Sequence, residues 1–263
     1  MLNKIDIKDI KKIALDAGKI VMKIYKQDFQ IKYKDDCSPL TKADIESNKL
    51  VCSALKKLYP NLPILSEEYK EVLFDDRKYW EFYWCIDPID GTKEFIKKND
   101  EFTINISLIH KNKPVLGVVY APALGNMYYA KTGEGAYKEV ISDKFSVLSK
   151  SKLPLASQKN IKEKITVIAS KSHLSKETQK FIDNLSLNTK NLTLVSKGSS
   201  LKLCMVAEGE ADIYPRLSPT MEWDTAAADA IVRESGKMTY QFESNKPLLY
   251  NKKTLLNPWF VVK

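Results

Sequence analysis

Hydrophobic residues recur at helical spacing near the start of the chain. Apolar positions within residues 10–24 form one stripe, which predicts an amphipathic helix. A second apolar stripe predicts a helix over about residues 43–58, which Pro60 ends. Each of these helices is therefore expected to bury one face in the core.

The pattern changes after the second predicted helix. A short apolar run at residues 63–65 comes before an aromatic-rich run at 79–86, and the latter predicts a buried strand. Three more strands are predicted, at residues 102–109, 115–120 and 126–130. Because Pro114 and Gly125 separate these strands, the segment favours an antiparallel meander.

The second half of the chain alternates strands and helices. The predicted strands are residues 165–169, 192–195 and 211–214. The predicted helices are residues 175–185, a helix opened by Gly198-Ser199-Ser200 and closed by Gly209, and a helix over 225–235 that Asp224 opens and Gly236 closes. Such alternation is typical of strands packed between helices. We therefore predict one compact α/β unit with two halves, about residues 1–140, holding the antiparallel sheet, and 141–263.

Composition narrows the class of protein. The chain has 263 residues, 44% of them hydrophobic, which is enough for a full core without disulfides. Its net charge is +9, but no run of five like charges is present, and the lysines are mixed with acidic residues. We therefore expect a solvated lysine-rich surface and no nucleic-acid partner. The sequence leaves the oligomeric state open between monomer and homodimer.

The cysteines and the N-terminus predict a cytoplasmic protein. No CxxC pair is present, and buried, reduced thiols are expected at Cys37, Cys52, Cys85 and Cys204. The N-terminus lacks the apolar stretch of a signal peptide, and no apolar run is long enough to span a bilayer. The polar face of the first predicted helix is basic, which leaves open a peripheral attachment to the inner face of the membrane.

Several kinds of catalytic site are absent from the sequence. The two histidines, His110 and His173, lie far apart, and there is no HExxH or GxSxG motif. Zinc-dependent hydrolysis and serine catalysis are therefore not expected. No GxxxxGK[ST] or GxGxxG motif is present, which argues against those two types of nucleotide-binding loop.

Carboxylates at strand ends are the remaining candidates for catalysis. Asp87 and Asp90 flank Pro88 and Ile89 at the end of a predicted strand, and Gly91 permits a sharp change of direction. A turn of this kind can point both carboxylates and the Ile89 carbonyl to one side, where they would suit Mg²⁺. The same residues also form an ordinary turn sequence, so both interpretations stay open for this segment alone.

Other acidic positions strengthen the metal interpretation. Glu67 and Glu68 follow the apolar run at 63–65, at another predicted strand end. Asp224 lies at the predicted N-terminus of an alanine-rich helix. The alternatives are that Glu67 is a surface acid and that Asp224 is simply an N-cap.

Four ordered motifs resemble those of the inositol monophosphatase superfamily. Two look like its signatures, Asp87-Pro-Ile-Asp-Gly-Thr92 and Trp223-Asp-Thr-Ala-Ala-Ala228. Two others, Pro39-Leu-Thr-Lys-Ala-Asp44 and Ser66-Glu-Glu68, match its remaining active-site segments in the right order. The resemblance runs from about residue 10 to the C-terminus. It implies a layered α/β (α+β) sandwich of the sugar-phosphatase type.

Further segments resemble one branch of that superfamily, the 3′(2′),5′-bisphosphate nucleotidases. These segments are Gly91-Thr-Lys-Glu-Phe-Ile96, Ser170-Lys-Ser-His173, Gly198-Ser-Ser-Leu-Lys202 and Tyr214-Pro-Arg216. The resemblance implies hydrolysis of adenosine 3′,5′-bisphosphate to AMP and phosphate, with sensitivity to Li⁺ and a place in sulfur metabolism. The alternative is a phosphatase of the same superfamily that acts on inositol 1-phosphate or another sugar phosphate.

The resemblance also implies a metal site with two or three Mg²⁺ ions. Glu67, Asp87 and the Ile89 carbonyl would hold one ion. Asp87, Asp90 and Asp224 would hold a second, so Asp87 would bridge the two.

Catalytic and substrate-binding roles follow from the same resemblance. Thr92, hydrogen-bonded to Asp44, would orient the attacking water with help from Glu67, and backbone amides at Gly91 and Thr92 would hold phosphate oxygens. The residues expected to contact substrate are Glu67, Ile89, Asp90, Gly91, Thr92, His173, Ser199, Lys202, Arg216 and Asp224. The partner would be a small nucleotide bisphosphate. Arg216 and Lys202 would bind it away from the scissile phosphate, the alternative being that both are surface charges.

Overall fold

A computed structural model describes residues 1–33, 39–69, 72–155, 165–169, 175–189 and 191–263. The helices in these ranges are α1 (Ile7–Tyr25), α2 (Lys42–Leu58), α3 (Phe74–Arg77), α4 (Thr92–Ile96), α5 (Lys176–Asn188), α6 (Leu201–Glu208) and α7 (Glu222–Glu234), with a 3₁₀ turn at Leu2–Lys4. The first nine strands are β1 (Ile31–Tyr33), β2 (Pro39–Thr41), β3 (Ile64–Ser66), β4 (Phe82–Asp90), β5 (Thr103–His110), β6 (Lys113–Ala121), β7 (Asn126–Lys131), β8 (Gly135–Ile141) and β9 (Val147–Lys152). The strands that follow are β10 (Ile165–Ala169), β11 (Leu192–Ser196), β12 (Tyr214–Arg216), β13 (Thr239–Gln241) and β14 (Phe260–Val262).

Seven strands form the central sheet, in the order β3-β4-β5-β6-β7-β8-β9. The strands from β4 to β9 are antiparallel to their neighbours, whereas the edge strand β3 runs parallel to β4. The predicted antiparallel meander is confirmed, but the sequence pattern missed its last two strands. All residues of β9 are exposed, so this strand lacks the alternation by which a half-buried strand is recognised. The division of the chain into halves near residue 140 stays a prediction.

Alternate residues of β4 face two different helical layers. Trp84 and Ile86 belong to the buried cluster that also contains the apolar faces of α1 and α2. Tyr83 and Cys85 point the other way, into the cluster that contains α6 and α7. Because successive side chains of a strand point to opposite faces, one strand can serve both layers. The sheet is therefore packed between helices, as predicted.

The two N-terminal helices follow the predicted apolar stripes. α1 is a few residues longer than its predicted range because Asp6 caps it, accepting a hydrogen bond from Lys8 N (2.9 Å). α2 starts with a capping box between Thr41 and Asp44. Both helices bury their apolar faces on the sheet.

Small residues bring α7 close to the sheet. Gly117 of β6 lies against the helix, and a Cβ atom at that position would come within 2.1 Å of the Ala227 carbonyl oxygen. The buried alanines Ala226, Ala227 and Ala228 therefore allow α7 to pack directly on the strands. This contact fixes the first turn of the helix, which carries Asp224.

The bounds predicted for the strand at residues 211–214 are wrong, although a strand begins at the last of these residues. The structure places β12 at Tyr214–Arg216, where it pairs with β14, and β14 also pairs with β13. Before β12, Ile213 forms an isolated bridge with Val167 of β10. A strand that exists by pairing with the last residues of the chain leaves little signal in its own few residues. The other two predicted strands of this half are present as the parallel pair β10 and β11.

Two of the composition-based expectations can be compared with the structure. Cys52, Cys85 and Cys204 are buried and free, as predicted, whereas Cys37 lies outside the described residues. Across the ranges given above, no helix is at once long enough and apolar enough to cross a membrane.

Candidate active site

The Asp-Pro-Ile-Asp segment is the bulged end of β4, and its interpretation as an ordinary turn is wrong. The predicted strand at 79–86 starts later, at Phe82, and runs on to Asp90. Asp87 lies opposite Asn105 of β5 and Asp90 lies opposite Thr103, with a shift of register between them. Pro88 has no N–H to donate to the ladder, and such a residue is tolerated in a strand at a bulge.

Side chains satisfy the backbone of this bulge. Ile89 N donates to Asp87 Oδ1 (3.0 Å), and the Ile89 carbonyl lies 3.3 Å from Thr92 Oγ1, within reach of that hydroxyl's single proton. Gly91 follows with a φ of +89°, in the left-handed region, and α4 begins at the next residue. A side chain at this position would be strained, because only glycine adopts such angles freely. The chain therefore leaves the strand sharply after Asp90, as the sequence predicted.

Two further segments bring Glu67 and Asp44 to the bulge of β4. Glu67 follows β3, and its backbone N–H donates to the Ile86 carbonyl of β4 (3.2 Å), which places it beside the bulge. Asp44 is buried in the first turn of α2, where its Oδ2 accepts from Thr41 N (2.7 Å). Its other oxygen accepts from Thr92 Oγ1 (3.2 Å), so the hydrogen bond implied by the family resemblance is present.

Asp224 joins the site from the C-terminal part of the chain. It is not the N-cap of α7, because the helix begins at Glu222 after Met221. Asp224 instead lies in the first turn, where its Oδ2 accepts from Met221 N (2.9 Å). A carboxylate in this place is favoured by the helix dipole whatever its function.

The segment before α6 is tied to the other half of the site. Ser200 N donates to Asp90 Oδ2 (2.5 Å), and Gly198 N donates to Glu101 Oε2 (2.8 Å). Ser200 is buried, and its hydroxyl lies 2.8 Å from Thr103 Oγ1. These contacts hold Ser199 and the start of α6 next to Asp90, one of the carboxylates expected to bind metal.

One cavity brings these segments together. Its lining includes most of the residues expected to contact substrate, namely Glu67, Asp90, Gly91, Thr92, Ser199, Lys202, Arg216 and Asp224. Asp87 and Ile89 lie behind that surface and are almost fully buried. His173 lies outside the described residues, so its place in the site stays a prediction.

Lys202 and Arg216 supply positive charge to this cavity. Lys202 is 6% exposed and donates to the Ser199 carbonyl (2.6 Å), so its interpretation as a surface charge is wrong. Arg216 is half-buried, and its Nη2 donates to the Pro219 carbonyl (2.9 Å). The Arg216 Nε is buried and has no hydrogen-bond partner among the residues that the structure describes. Both cations therefore have capacity left for an anion in the cavity.

The acidic groups repel one another. Burial raises the pKa of Asp87 well above its ordinary value, and the charges of Glu67, Asp90 and Asp224 raise it further. Asp224 shifts in the same direction, again mainly through burial and then through Asp90. Burial raises the pKa of Asp90 to about 6, although Lys202 and the Ser200 amide oppose the shift. The stabilisation that Lys202, Arg216 and backbone amides give to Asp90 and Asp224 is thus smaller than the cost of burying these charges close together.

The donor set fits a hard divalent cation. Carboxylates and a backbone carbonyl are the oxygen ligands that Mg²⁺ prefers, and a cation would relieve the repulsion among them. In the described ranges, no group of three or more Asp, Glu, Cys or His side chains lies in positions that could already bind a metal ion. In each of Asp87, Asp90 and Asp224, one carboxylate oxygen accepts a hydrogen bond from a backbone amide. The second oxygen of each carboxylate could then coordinate a metal ion.

Two polar residues behind the site were not predicted from the sequence. Ser47 and Asn48 are buried on α2, one turn after Asp44, and they contact the bulge and the residue before Glu67. Their signal was available in the sequence, since a serine and an asparagine interrupt the predicted apolar stripe of this helix.

Comparison with known proteins identifies the family. The profile of the inositol monophosphatase family matches residues 2–259. The chain belongs to this family. The predicted phosphatase class is therefore confirmed.

Curated members of the family cover nearly the whole chain. The chain is 40% identical over 259 residues to the Salmonella typhimurium protein named 3′(2′),5′-bisphosphate nucleotidase CysQ, with 97% of this chain and 98% of the relative covered. It is 37% identical over 263 residues to the Haemophilus influenzae protein of the same name, covering 99% and 93% of the two chains. The resemblance to this branch, noted from the sequence, is confirmed.

Solved structures share the mixed α/β fold of this chain. The crystal structure of CysQ from Bacteroides thetaiotaomicron is 42% identical, with a TM-score of 0.81 over 95% of this chain and 94% of that one. The suhB protein from Bartonella henselae is 21% identical, with a TM-score of 0.76 over 97% and 92% of the two chains. The predicted layered fold is therefore confirmed.

Proposed function

We propose that this protein is a Mg²⁺-dependent 3′(2′),5′-bisphosphate nucleotidase that hydrolyses adenosine 3′,5′-bisphosphate to AMP and phosphate. The observation that carries the proposal is that one cavity is lined both by acidic residues, Asp90 and Asp224, and by the cations Lys202 and Arg216. A substrate with two phosphate groups needs both kinds of surface. The names of the curated relatives support the same activity.

The carboxylate cluster is the proposed metal site. Glu67, Asp87, the Ile89 carbonyl, Asp90 and Asp224 would hold two or three Mg²⁺ ions. Bound Mg²⁺ lowers the pKa of water and neutralises charge on phosphoryl oxygens. Three of these carboxylates, those of Asp87, Asp90 and Asp224, each accept a hydrogen bond from a backbone amide. These hydrogen bonds fix the orientation of the carboxylates before any ion binds.

Thr92, Asp44 and Glu67 are the proposed catalytic group. Thr92 Oγ1 donates to Asp44, so its own lone pairs are left to accept a hydrogen bond from water in the cavity. Asp44 is 2% exposed and held by Thr41, which keeps Thr92 in one orientation. Glu67 lines the same cavity and would receive the proton of that water.

The remaining lining residues would bind the substrate. The N–H groups of Gly91 and Thr92 would hold the scissile phosphate. Ser199, Lys202 and Arg216 would bind the second phosphate, and the guanidinium of Arg216 matches a phosphate in two-point geometry. The predicted cytoplasmic location and the predicted role in sulfur metabolism accompany this proposal.

A substrate panel tests the proposed activity. We expect phosphate release from adenosine 3′,5′-bisphosphate with Mg²⁺ and none after EDTA treatment, with much slower release from inositol 1-phosphate and fructose 1,6-bisphosphate. Comparable kcat/KM values for adenosine bisphosphate and inositol 1-phosphate would instead favour the sugar-phosphatase alternative.

Lithium should inhibit the enzyme at millimolar concentration. Li⁺ is small enough to enter a Mg²⁺ position, but its single charge stabilises a developing negative charge less well. The check is phosphate release at fixed Mg²⁺ with LiCl, against KCl at the same ionic strength as control. Equal rates in the two salts would count against this branch of the family.

Magnesium should stabilise the folded protein more at pH 7.5 than at pH 5. The pKa values of Asp87, Asp90 and Asp224 are raised on folding, so the metal-free protein loses stability as pH rises from about 4, the unfolded value, through the folded value, about 6 for Asp90. Mg²⁺ removes this penalty and competes with protons for the same oxygens. At about 100 times its Kd we expect a rise in Tm of about 5–10 °C at pH 7.5.

Thermal melts at the two pH values measure this difference. Each melt in MgCl₂ is compared with one in EDTA and NaCl at equal ionic strength. A shift that is equal at both pH values, or larger at pH 5, would contradict the assignment of these carboxylates.

A further inference from the structure

One face of α2 carries three buried polar side chains, at positions Asp44, Ser47 and Asn48. Residues three and four apart lie on the same side of a helix, so these side chains face the sheet together. The rest of this face is apolar, with Val51, Cys52 and Leu55 in the core. Polar groups in such a place need partners, because a buried polar atom without a hydrogen bond destabilises the fold.

Ser47 finds its partner in the bulge of β4. Its Oγ donates to the Pro88 carbonyl (3.0 Å), and Ser47 itself is fully buried. Pro88 lies between Asp87 and Asp90, in the stretch where the register with β5 shifts. The regular ladder does not fix the backbone of a bulge, so a hydrogen bond from outside the sheet helps to set its direction.

Asn48 contacts the other acidic strand end. Its Oδ1 accepts from Ser66 Oγ (2.7 Å) and from Cys52 Sγ (3.1 Å), and all three residues are buried. Ser66 is the last residue of β3, directly before Glu67. Asn48 therefore fixes the strand end from which Glu67 projects.

We propose that Ser47 and Asn48 are positioning residues, which hold the bulge and the β3 end so that Asp87, Asp90 and Glu67 face a common metal site. The proposal rests on the metal site proposed above. Together with Asp44, which holds Thr92, these side chains make α2 a single rigid support for three separate segments of the site. The residues that they contact, Pro88 and Ser66, are sequence neighbours of proposed metal ligands but are not ligands themselves.

Replacing Ser47 by alanine tests the proposal. The Pro88 carbonyl loses its donor, and the bulge can relax away from the geometry that the ligands require. Removing such an outer hydrogen bond typically weakens metal affinity or activity by about 10–100-fold. We therefore expect the Mg²⁺ concentration that gives half of the maximal Tm increase to rise by about 10-fold or more. This readout does not depend on turnover.

Kinetics provide an independent measurement. In the Ser47→Ala variant we expect kcat at saturating Mg²⁺ to fall while the KM for adenosine bisphosphate changes by less than about twofold, because the nucleotide side of the cavity is untouched. Asn48→Ala should shift the Mg²⁺ midpoint in the same direction through Glu67. Ser47→Cys, which keeps nearly the same volume with a weak donor, carries the same test if Ser47→Ala does not fold.

Ser53→Ala is the matched control, because it makes the same change on the exposed side of the same helix. It should behave as the wild type in both measurements. If the Ser47 and Asn48 variants lose Tm in EDTA but keep the wild-type Mg²⁺ midpoint and kcat, their hydrogen bonds serve the fold alone and the proposal is overturned. If the wild type itself shows no Mg²⁺-dependent Tm increase, the metal site fails first and the positioning role with it.

Discussion

The Asp90→Asn variant is expected to fold normally and to lose nearly all phosphatase activity. Its kcat should fall below a tenth of the wild-type value, a barrier increase of at least about 1.4 kcal/mol. The reason is charge, since an amide oxygen is a much poorer ligand than a carboxylate for a hard cation. The shape of the site should survive, because the asparagine oxygen can still accept the hydrogen bond from Ser200 N.

The same variant should be more stable than the wild type when metal is absent. Burial raises the pKa of Asp90 to about 6, which means that its charged form is unfavourable in the folded protein at neutral pH. Removing the charge removes that cost, so Tm in EDTA at pH 7.5 should rise while the increase caused by Mg²⁺ shrinks. Loss of activity together with a gain in metal-free stability is the result expected of a ligand that was placed for function.

Asp143→Asn is a suitable control, because this aspartate is exposed in the turn between β8 and β9. It should leave kcat, the Tm in EDTA and the response to Mg²⁺ unchanged. If the Asp90→Asn enzyme keeps more than a tenth of the wild-type kcat, the assignment of Asp90 as a metal ligand is contradicted.

The sequence was most informative where one segment determined its own structure. The apolar stripe of α1, the glycine that follows α6 and the apolar runs of β5 to β7 each contain their own signal. The acidic motifs were equally clear, because four segments in a fixed order resemble one family. What they could not give is the local form of the Asp87–Asp90 segment. A proline and a glycine suggest a turn, but pairing with β5 keeps the chain extended up to Asp90.

Elements that depend on distant partners were the ones missed or misplaced. β12 exists because the last residues of the chain add β14 beside it, and nothing within Tyr214–Arg216 records that pairing. The functions of Ser47 and Asn48 depend on Pro88 and Ser66, which are 41 and 18 residues away in sequence. Whether Lys202 was a surface charge or part of a cavity was likewise a question of tertiary packing.

Arg216 is the residue on which the choice of a nucleotide substrate depends most. It is the last residue of β12 and lines the cavity. Its Nε is buried and has no hydrogen-bond partner in the described part of the chain. Lys202 lies in the same cavity, and its pKa is lowered to about 8, mainly by burial and further by Arg216, although Asp90 opposes the shift. The two cations that line this cavity repel each other, and an anionic group bound between them would relieve that repulsion.

Arg216→Met should therefore raise the KM for adenosine 3′,5′-bisphosphate by about 10- to 100-fold, the equivalent of about 1.5–3 kcal/mol for a charged hydrogen bond. The KM for inositol 1-phosphate should barely change, because that substrate has no second phosphate to lose. Arg216→Lys keeps the charge without the planar fork, so its KM should lie between those of the wild type and the methionine variant. Steady-state kinetics on both substrates measure the loss of substrate binding. The Tm of each variant measures the loss of stability caused by removing the hydrogen bond to the Pro219 carbonyl. Equal effects on both substrates, or none on either, would contradict the nucleotide assignment and leave a phosphatase for simpler sugar phosphates.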